Sequence, residues 1–312
     1  MARTRTDTHD IKVDAPAPAI FTRLSDVSRW PTLFPPTIHA EVLDASGGEE
    51  RIRLWATAHG EAHSWTSRRA LDSAGLRIDF RQERSVHPIR HMRGEWTIKP
   101  LDDRSSLLSL VHEYSAIDDT DEQLSWIARA VDGNSRAELE ALKSALERES
   151  RDGLDAPFTF QDSLTTVGDP AKVFEFLDRA DAWEQRLDHV AAAVMTEFDD
   201  GLQRLKMDTL APDGSTHTTE SFRVSFKPDR IVYKQTTLPA LMSLHTGVWT
   251  IRPHEQGWQI SSEHTVAIRS ERVSAVLGPD ATVQTARELA RSNLGNNSRL
   301  TLAKAVSYAE GA

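Results

Sequence analysis

The stretch EAHSWTSRRAL at residues 61–71 can place a permanent charge inside an apolar shell. In an extended chain His63, Trp65, Ser67, Arg69 and Leu71 share one face, and Ala62, Ser64, Thr66, Arg68 and Ala70 share the other. Trp65 and Leu71 mark the first set as the inward one, which carries Ser67 and Arg69 with it. A guanidinium stays protonated and offers a fork of donors suited to an oxyanion. The competing account is an arginine neutralised by a nearby carboxylate or snorkelling at a sheet edge. Two later stretches face the same way: Met92, Gly94, Trp96 and Ile98 in residues 90–99, and Leu108, Leu110, His112, Tyr114 and Ala116 in residues 106–117. His112, with an ordinary pKa near neutrality, is the candidate proton carrier, and Tyr114 is its reserve. Trp30 and Phe34 would close one wall, although aromatic residues at such positions also serve as plain core.

Other chemistries lack support. His59 with His63, and His87 with His91, have the i,i+4 spacing of a helical metal site, but on strands four residues span ~13 Å, too far for one ion. No dinucleotide-binding, P-loop or nucleophile-elbow pattern occurs, and zero cysteines exclude a thiol nucleophile or a thiolate metal site. The expectation is a site without metal or cofactor. A formal charge of −10 argues against a general nucleic-acid binder, and no apolar run approaches the ~20 residues of a membrane span. MARTRTDTHD lacks the apolar segment of a secretory signal, so the expected setting is cytoplasmic, with neither nucleic acid nor membrane as partner.

The elements that must position these residues occur twice. GEWTIKP at 94–100 and GVWTIRP at 247–253 are almost one phrase, and three further pairs follow the same order: RWPTLF with AWEQRL, FRQE with YKQT, and NSRAELEALKSALE with NSRLTLAKAVSYAE. Periodicity predicts a strand near 11–13, short helical turns ended by Pro31, Pro35 and Pro36, and strands near 38–44, 51–59, 61–71, 76–84, 90–99 and 106–117. A long helix over 122–147 follows, with Leu124, Ile127, Ala128, Val131, Leu139, Leu142 and Leu146 on one face. The second half repeats this from 158, ending in a helix predicted over 280–308, and RESRDGLDAP between the halves has linker composition. The expected class is therefore α+β, with two domains at 9–149 and 157–310. Each is a bent antiparallel sheet of about seven strands around a C-terminal helix, enclosing a cavity of roughly 300–1,000 Å³.

With SRWPTLFP, SWTSRRALD, RHMRGEWTI, LVHEYS and NSRAELEALK in place, the chain resembles the two-domain aromatase/cyclases of bacterial type II polyketide synthases, of the START or Bet v 1-like helix-grip superfamily. The resemblance assigns catalysis to Arg69 with Ser67 beside it, and substrate contacts to Trp30, Phe34, Trp65, Met92, Trp96 and Asn134. It also shows two departures: His112 stands where relatives have a Gln, and Thr37 where they carry a Tyr that partners the arginine. In the second half Trp183, His245 and Trp249 align with Trp30, Met92 and Trp96. Ser221 and Arg223 repeat the Ser-x-Arg spacing, but Phe222, Val224 and Phe226 predict that Arg223 points outward; His245 and His264 are the better second-pocket candidates. The implied activity is aldol closure and dehydration of the first ring, C7 to C12 by analogy, on a ketoreduced poly-β-ketone. Its implied partners are an acyl carrier protein, the minimal synthase and a ketoreductase. A noncatalytic carrier of lipids or other hydrophobic ligands is the alternative, since fold does not fix function.

Overall fold

The computed structural model describes residues 3–58, 60–85, 87–149, 156–198, 201–210, 214 and 216–311; His59 of the first histidine pair lies outside them. The chain divides into two compact units, Met1–Gly153 and Leu154–Ala312. In the first, β1 (Arg5–Val13) leads into α1 (Ala17–Ser25) and α2 (Trp30–Leu33). Then come β2 (Thr37–Ser46), β3 (Glu49–Ala58), β4 (Glu61–Asp72), β5 (Arg77–Arg84), β6 (Ile89–Pro100), β7 (Ser106–Ala116) and α3 (Asp121–Glu149). The strands form one antiparallel sheet in the order β1-β7-β6-β5-β4-β3-β2.

The second unit repeats the scheme. Its elements are β8 (Phe158–Thr166), α4 (Pro170–Asp178), α5 (Trp183–Arg186), β9 (Val190–Glu197), β10 (Leu202–Leu210), β11 (Thr216–Phe226), β12 (Arg230–Thr237), β13 (Met242–His254), β14 (Gly257–Ile268), α6 (Ser270–Leu277) and α7 (Val283–Glu310). The sheet order is β8-β14-β13-β12-β11-β10-β9, so each unit is a seven-stranded helix-grip fold of the α+β class.

Two boundaries differ from expectation for physical reasons. β1 starts at Arg5 rather than near residue 11, ahead of the expected domain start at 9, because its outer half RTDTHD is polar yet pairs with β7 from Arg5↔Tyr114 onward. The final helix, expected over 280–308, is α7, and an extra helix the sequence reading did not give, α6, precedes it; Gly278, at φ 101°, ends α6, and Pro279 follows. No helix among the described residues is long and apolar enough to cross a membrane.

α3 is held along one side by buried Leu124, Ile127 and Val131, which pack with Met92 and Tyr114, and by Leu139, Leu142 and Leu146, which pack with Val13, Ile98 and Leu108. Between Val131 and Leu139 the helix presents Asn134, Ser135 and Glu138 to the concave face of the sheet. Register places Arg69 opposite Phe80, Phe80 opposite Gly94, and Gly94 opposite His112, a single rung across four strands. The same rung in the second unit is Arg223, Tyr233, Gly247 and His264.

The repeated glycine has a steric cause. A Cβ on Gly94 would overlap the Phe80 ring and the Val111 carbonyl oxygen, and one on Gly247 would overlap the Tyr233 phenol and the Glu263 carbonyl oxygen. The absent side chain lets an aromatic ring lie flat across the sheet. Gly94→Ala is expected to cost ~1–3 kcal/mol of unfolding free energy through overpacking. Gly133→Ala on α3, where a Cβ meets open space, should be neutral or gain up to ~1 kcal/mol. Urea midpoints of the two variants check both signs.

Candidate active site

The site begins where α1 ends. The last carbonyls of a helix have no intrahelical partner and carry the negative end of its dipole. Arg69 supplies what they lack: Nη1 donates to the Leu24 carbonyl at 3.2 Å and Nη2 to the Ser25 carbonyl at 2.7 Å. The guanidinium lies 5.3 Å from the Trp30 ring centre, and Trp30 Nε1 also donates to the Leu24 carbonyl, at 3.2 Å. Arg69 also pairs with Glu50, which stands opposite it in the β3–β4 hairpin. Burial lowers the Arg69 pKa from its ordinary value while the Glu50 carboxylate opposes that shift, and the group stays charged. The carboxylate account weighed from sequence is therefore partly correct. Yet Nε of Arg69, also buried, has no hydrogen-bond partner.

A cavity of about 180 Å³, partly open to solvent, lies between the sheet and α3, smaller than expected. Trp30, Trp65, Trp96 and Trp126 occupy its walls, and indoles are bulky. Phe34 stacks on Trp96 at 6.3 Å and meets Trp30 edge-on at 5.4 Å. Met92, Ser67 and Asn134 also line the cavity, as does Thr37. Asn134 reaches the Thr57 carbonyl at 3.4 Å. The structure thus brings together Arg69, Ser67, His112 and all six expected substrate-contact residues.

Two proton-transfer expectations need correction. Tyr114 is not in the cavity wall: it is fully buried beside Met92 and Leu124, and its hydroxyl donates to Asp7 Oδ2 at 2.7 Å. Burial and that carboxylate push its phenol pKa further up. His112 is in the wall, edge-on to Phe80 at 5.4 Å with Nδ1 3.4 Å from Ser135 Oγ, but burial drives its pKa down to about 4. At neutral pH it is an uncharged imidazole, a hydrogen-bonding group rather than a ready acid. Glu138, which the sequence analysis missed, also lines the cavity, and burial raises its carboxyl to about 8.

The second unit contradicts the outward placement of Arg223. It is 2% exposed; Nη2 donates to the Leu177 carbonyl at 2.6 Å and the guanidinium lies 5.5 Å from the Trp183 ring centre, closing α4 as Arg69 closes α1. Strand parity failed because Phe222 and Val224 on the opposite face are buried too. Gln203 replaces Glu50 beside this arginine, and its amide donates to the buried Asp178 at 3.1 Å. Burial lowers Arg223 to about 10. His245 and His264 lie together, with 2.9 Å between His245 Nε2 and His264 Nδ1. Tyr233 Oη is 2.9 Å from that same Nδ1, and His264 Nε2 is 2.6 Å from Ser298 Oγ. Trp249 meets Trp183 edge-on at 6.5 Å. Among the described residues no group of three or more His, Cys, Asp or Glu is placed to hold a metal ion.

An apolar hollow between a bent sheet and its closing helix, with one buried guanidinium and a neutral imidazole in its wall, is a helix-grip site for a hydrophobic guest bearing oxygen. Residues 4–147 match the family described as polyketide cyclase / dehydrase and lipid transport. The chain is 41% identical over 298 residues, 95% of itself and 97% of its relative, to the granaticin polyketide synthase bifunctional cyclase/dehydratase of Streptomyces virginiae. It is 39% identical over 312 residues, 96% of each chain, to the actinorhodin polyketide synthase bifunctional cyclase/dehydratase of Streptomyces coelicolor. Among solved structures, the di-domain aromatase/cyclase BexL from the BE-7585A biosynthetic pathway superposes with a TM-score of 0.88 at 47% identity, covering 98% of this chain and 99% of that one. StfQ, the di-domain aromatase/cyclase of the steffimycin pathway, gives 0.85 at 33% identity and 98% of both chains. The chain belongs to the two-domain polyketide aromatase/cyclase family, whose curated members are cyclase/dehydratase enzymes.

The histidines set an acid limit. His112 and His264, both held to about 4, take up protons in the unfolded chain near 6.5 but not in the folded one, so stability is lost as pH falls from about 6.5 toward 4. The expected loss is roughly 2–3 kcal/mol per histidine across that window. His112→Gln and His264→Gln should each flatten the urea-midpoint profile between pH 7 and pH 4.5 and leave its alkaline side unchanged.

Proposed function

We propose that the first unit is a cyclisation chamber for a poly-β-ketone delivered as a thioester of an acyl carrier protein, after a ketoreductase has acted on the product of the minimal synthase. The reaction is aldol closure of the first ring, between C7 and C12 by analogy with the family, then dehydration to an aromatic ring. The observation that carries this reading is the unpartnered Nε of Arg69, a residue lining a cavity whose walls are largely aromatic and aliphatic with a few polar side chains. Both Nη atoms of that guanidinium are engaged, by the end of α1 and by Glu50, so the group is fixed before substrate arrives.

The aromatic walls favour one folded form of a chain that could close in many ways, an orientational contribution. Arg69 Nε, with the Ser67 hydroxyl, then meets the oxygen on which negative charge develops during ring closure. His112, held neutral and oriented by Ser135, offers a polar contact without adding charge. No step calls for a metal or cofactor.

Reconstitution of the full chain with minimal synthase, carrier protein and ketoreductase tests this. Arg69→Ala should lower formation of the directed ring by ~10²–10³ while 2-naphthol binding, followed by tryptophan fluorescence, is kept. Because that variant leaves Glu50 and the end of α1 unpartnered, the paired replacement R69M/E50M serves as the packed control and should lose cyclisation equally. If the folded variants direct the ring as well as the wild type, the cavity is a carrier site and the enzymatic assignment of Arg69 is wrong.

A further inference from the structure

We infer that Glu138 is the proton-transfer group of the cavity, taking a methylene proton to start each bond change and returning it to the oxygen that becomes hydroxyl or water. The inference rests on the proposed ring closure and supplies what that reading lacks. The cavity needs a base, and the two side chains expected to provide one do not: Tyr114 lies outside the wall, bound to Asp7, and His112 resists protonation.

Glu138 meets the requirement by position. α3 turns Ile127, Val131, Asn134, Ser135 and Glu138 toward the cavity at helical spacing. Ser135 is fixed by its contact with His112, and Glu138 follows one turn later on the same face, the sole carboxyl in the cavity lining among the described residues. Its neighbours on the wall explain its freedom. The titratable groups facing the same space are His63 and Arg69 on β4, His87 on the β5–β6 connection and His112 on β7. Arg69 is taken by Glu50, His63 lies 3.9 Å from Glu61, and none of these histidines bonds Glu138. Burial alone raises the carboxyl to about 8, because no cation compensates it. A carboxylate desolvated in this way is a stronger base than one in water, and its proton affinity is matched to methylenes acidified by two flanking carbonyls.

The steps balance. In closure, the Glu138 carboxylate takes a proton from the methylene, the resulting enolate carbon bonds the distant carbonyl carbon, and the alkoxide held by Arg69 takes the proton back. In dehydration the carboxylate removes a proton from the carbon next to the new carbinol, the carbon–carbon double bond forms as the carbon–oxygen bond breaks, and the departing hydroxide leaves as water with that proton. Glu138 ends each step as it began, and each carbon–oxygen bond broken releases one water.

The test uses the full chain, limiting, in the reconstituted synthase. It reads the fraction of total polyketide that emerges as the directed ring, so that synthase turnover cancels. The wild-type fraction should rise from pH 6.5 to 8.5 as Glu138 ionises. Glu138→Gln should cut cyclase-dependent product about 10²-fold or more and remove the pH dependence. Glu138→Asp should restore part of it, and 2-naphthol affinity should stay within about threefold in both variants. Equal product and an unchanged pH profile in Glu138→Gln overturn the inference, as does loss of product that tracks loss of 2-naphthol binding. Should Glu138→Gln not fold, a wild-type fraction that is flat from pH 6.5 to 8.5 overturns it as well. A wild type that fails to direct any ring defeats the proposed function instead, which keeps the two failures apart.

Discussion

A buried guanidinium closing the exposed end of a short helix is the interaction on which each unit is built. Burying an arginine is costly unless its charge and donors are met. Here the acceptors are carbonyls that the helix could not satisfy by itself, and an indole face covers one side. The exchange repairs two defects with one contact. It also pins α1 and α4 to β4 and β11, the fourth strands of their units in chain order. Because Arg223 makes the same closure as Arg69, the contact belongs to the architecture of both copies. In the first copy the same guanidinium keeps one buried donor, Nε, without a hydrogen-bond partner.

The second organising feature is the rung of arginine, aromatic ring, glycine and histidine that crosses four strands in each unit. Strand spacing of about 4.8 Å separates its ends by ~14 Å along the sheet, and an aromatic ring fills the interval. No substrate atom can therefore rest on arginine and histidine through the sheet alone. From the opposite side, Asn134, Ser135 and Glu138 of α3 face the cavity where the helix's apolar side is interrupted between Val131 and Leu139.

Much of this was legible in the sequence. The shared phrases located both copies, alternation located the strands, and Trp65 and Leu71 gave the correct facing for Arg69. What was missed had identifiable causes. Glu50 follows from hairpin register counted back from Ala58↔Glu61, a pairing that single-strand alternation does not use. Glu138 was hidden because α3 was read for its apolar residues, although the gap between Val131 and Leu139 was itself the signal. Arg223 was misplaced because parity assumes one buried face, and β11 has two. Tyr114 was placed correctly by parity on an inward face, but the inward face near the end of β7 meets the core beside α3 rather than the hollow.

One substitution within the rung separates the fates of the two copies. Phe80 meets His112 at a ring-centre distance of 5.4 Å and, as a hydrocarbon ring, offers it no hydrogen-bonding atom. Tyr233, at the matching place, adds a phenolic oxygen that joins His245, His264 and Ser298 into a self-contained polar cluster. The matching histidines therefore sit in unlike surroundings: His112 between a hydrocarbon ring and Ser135, and His264 inside a cluster of hydrogen-bonding side chains that leaves its two ring nitrogens already engaged.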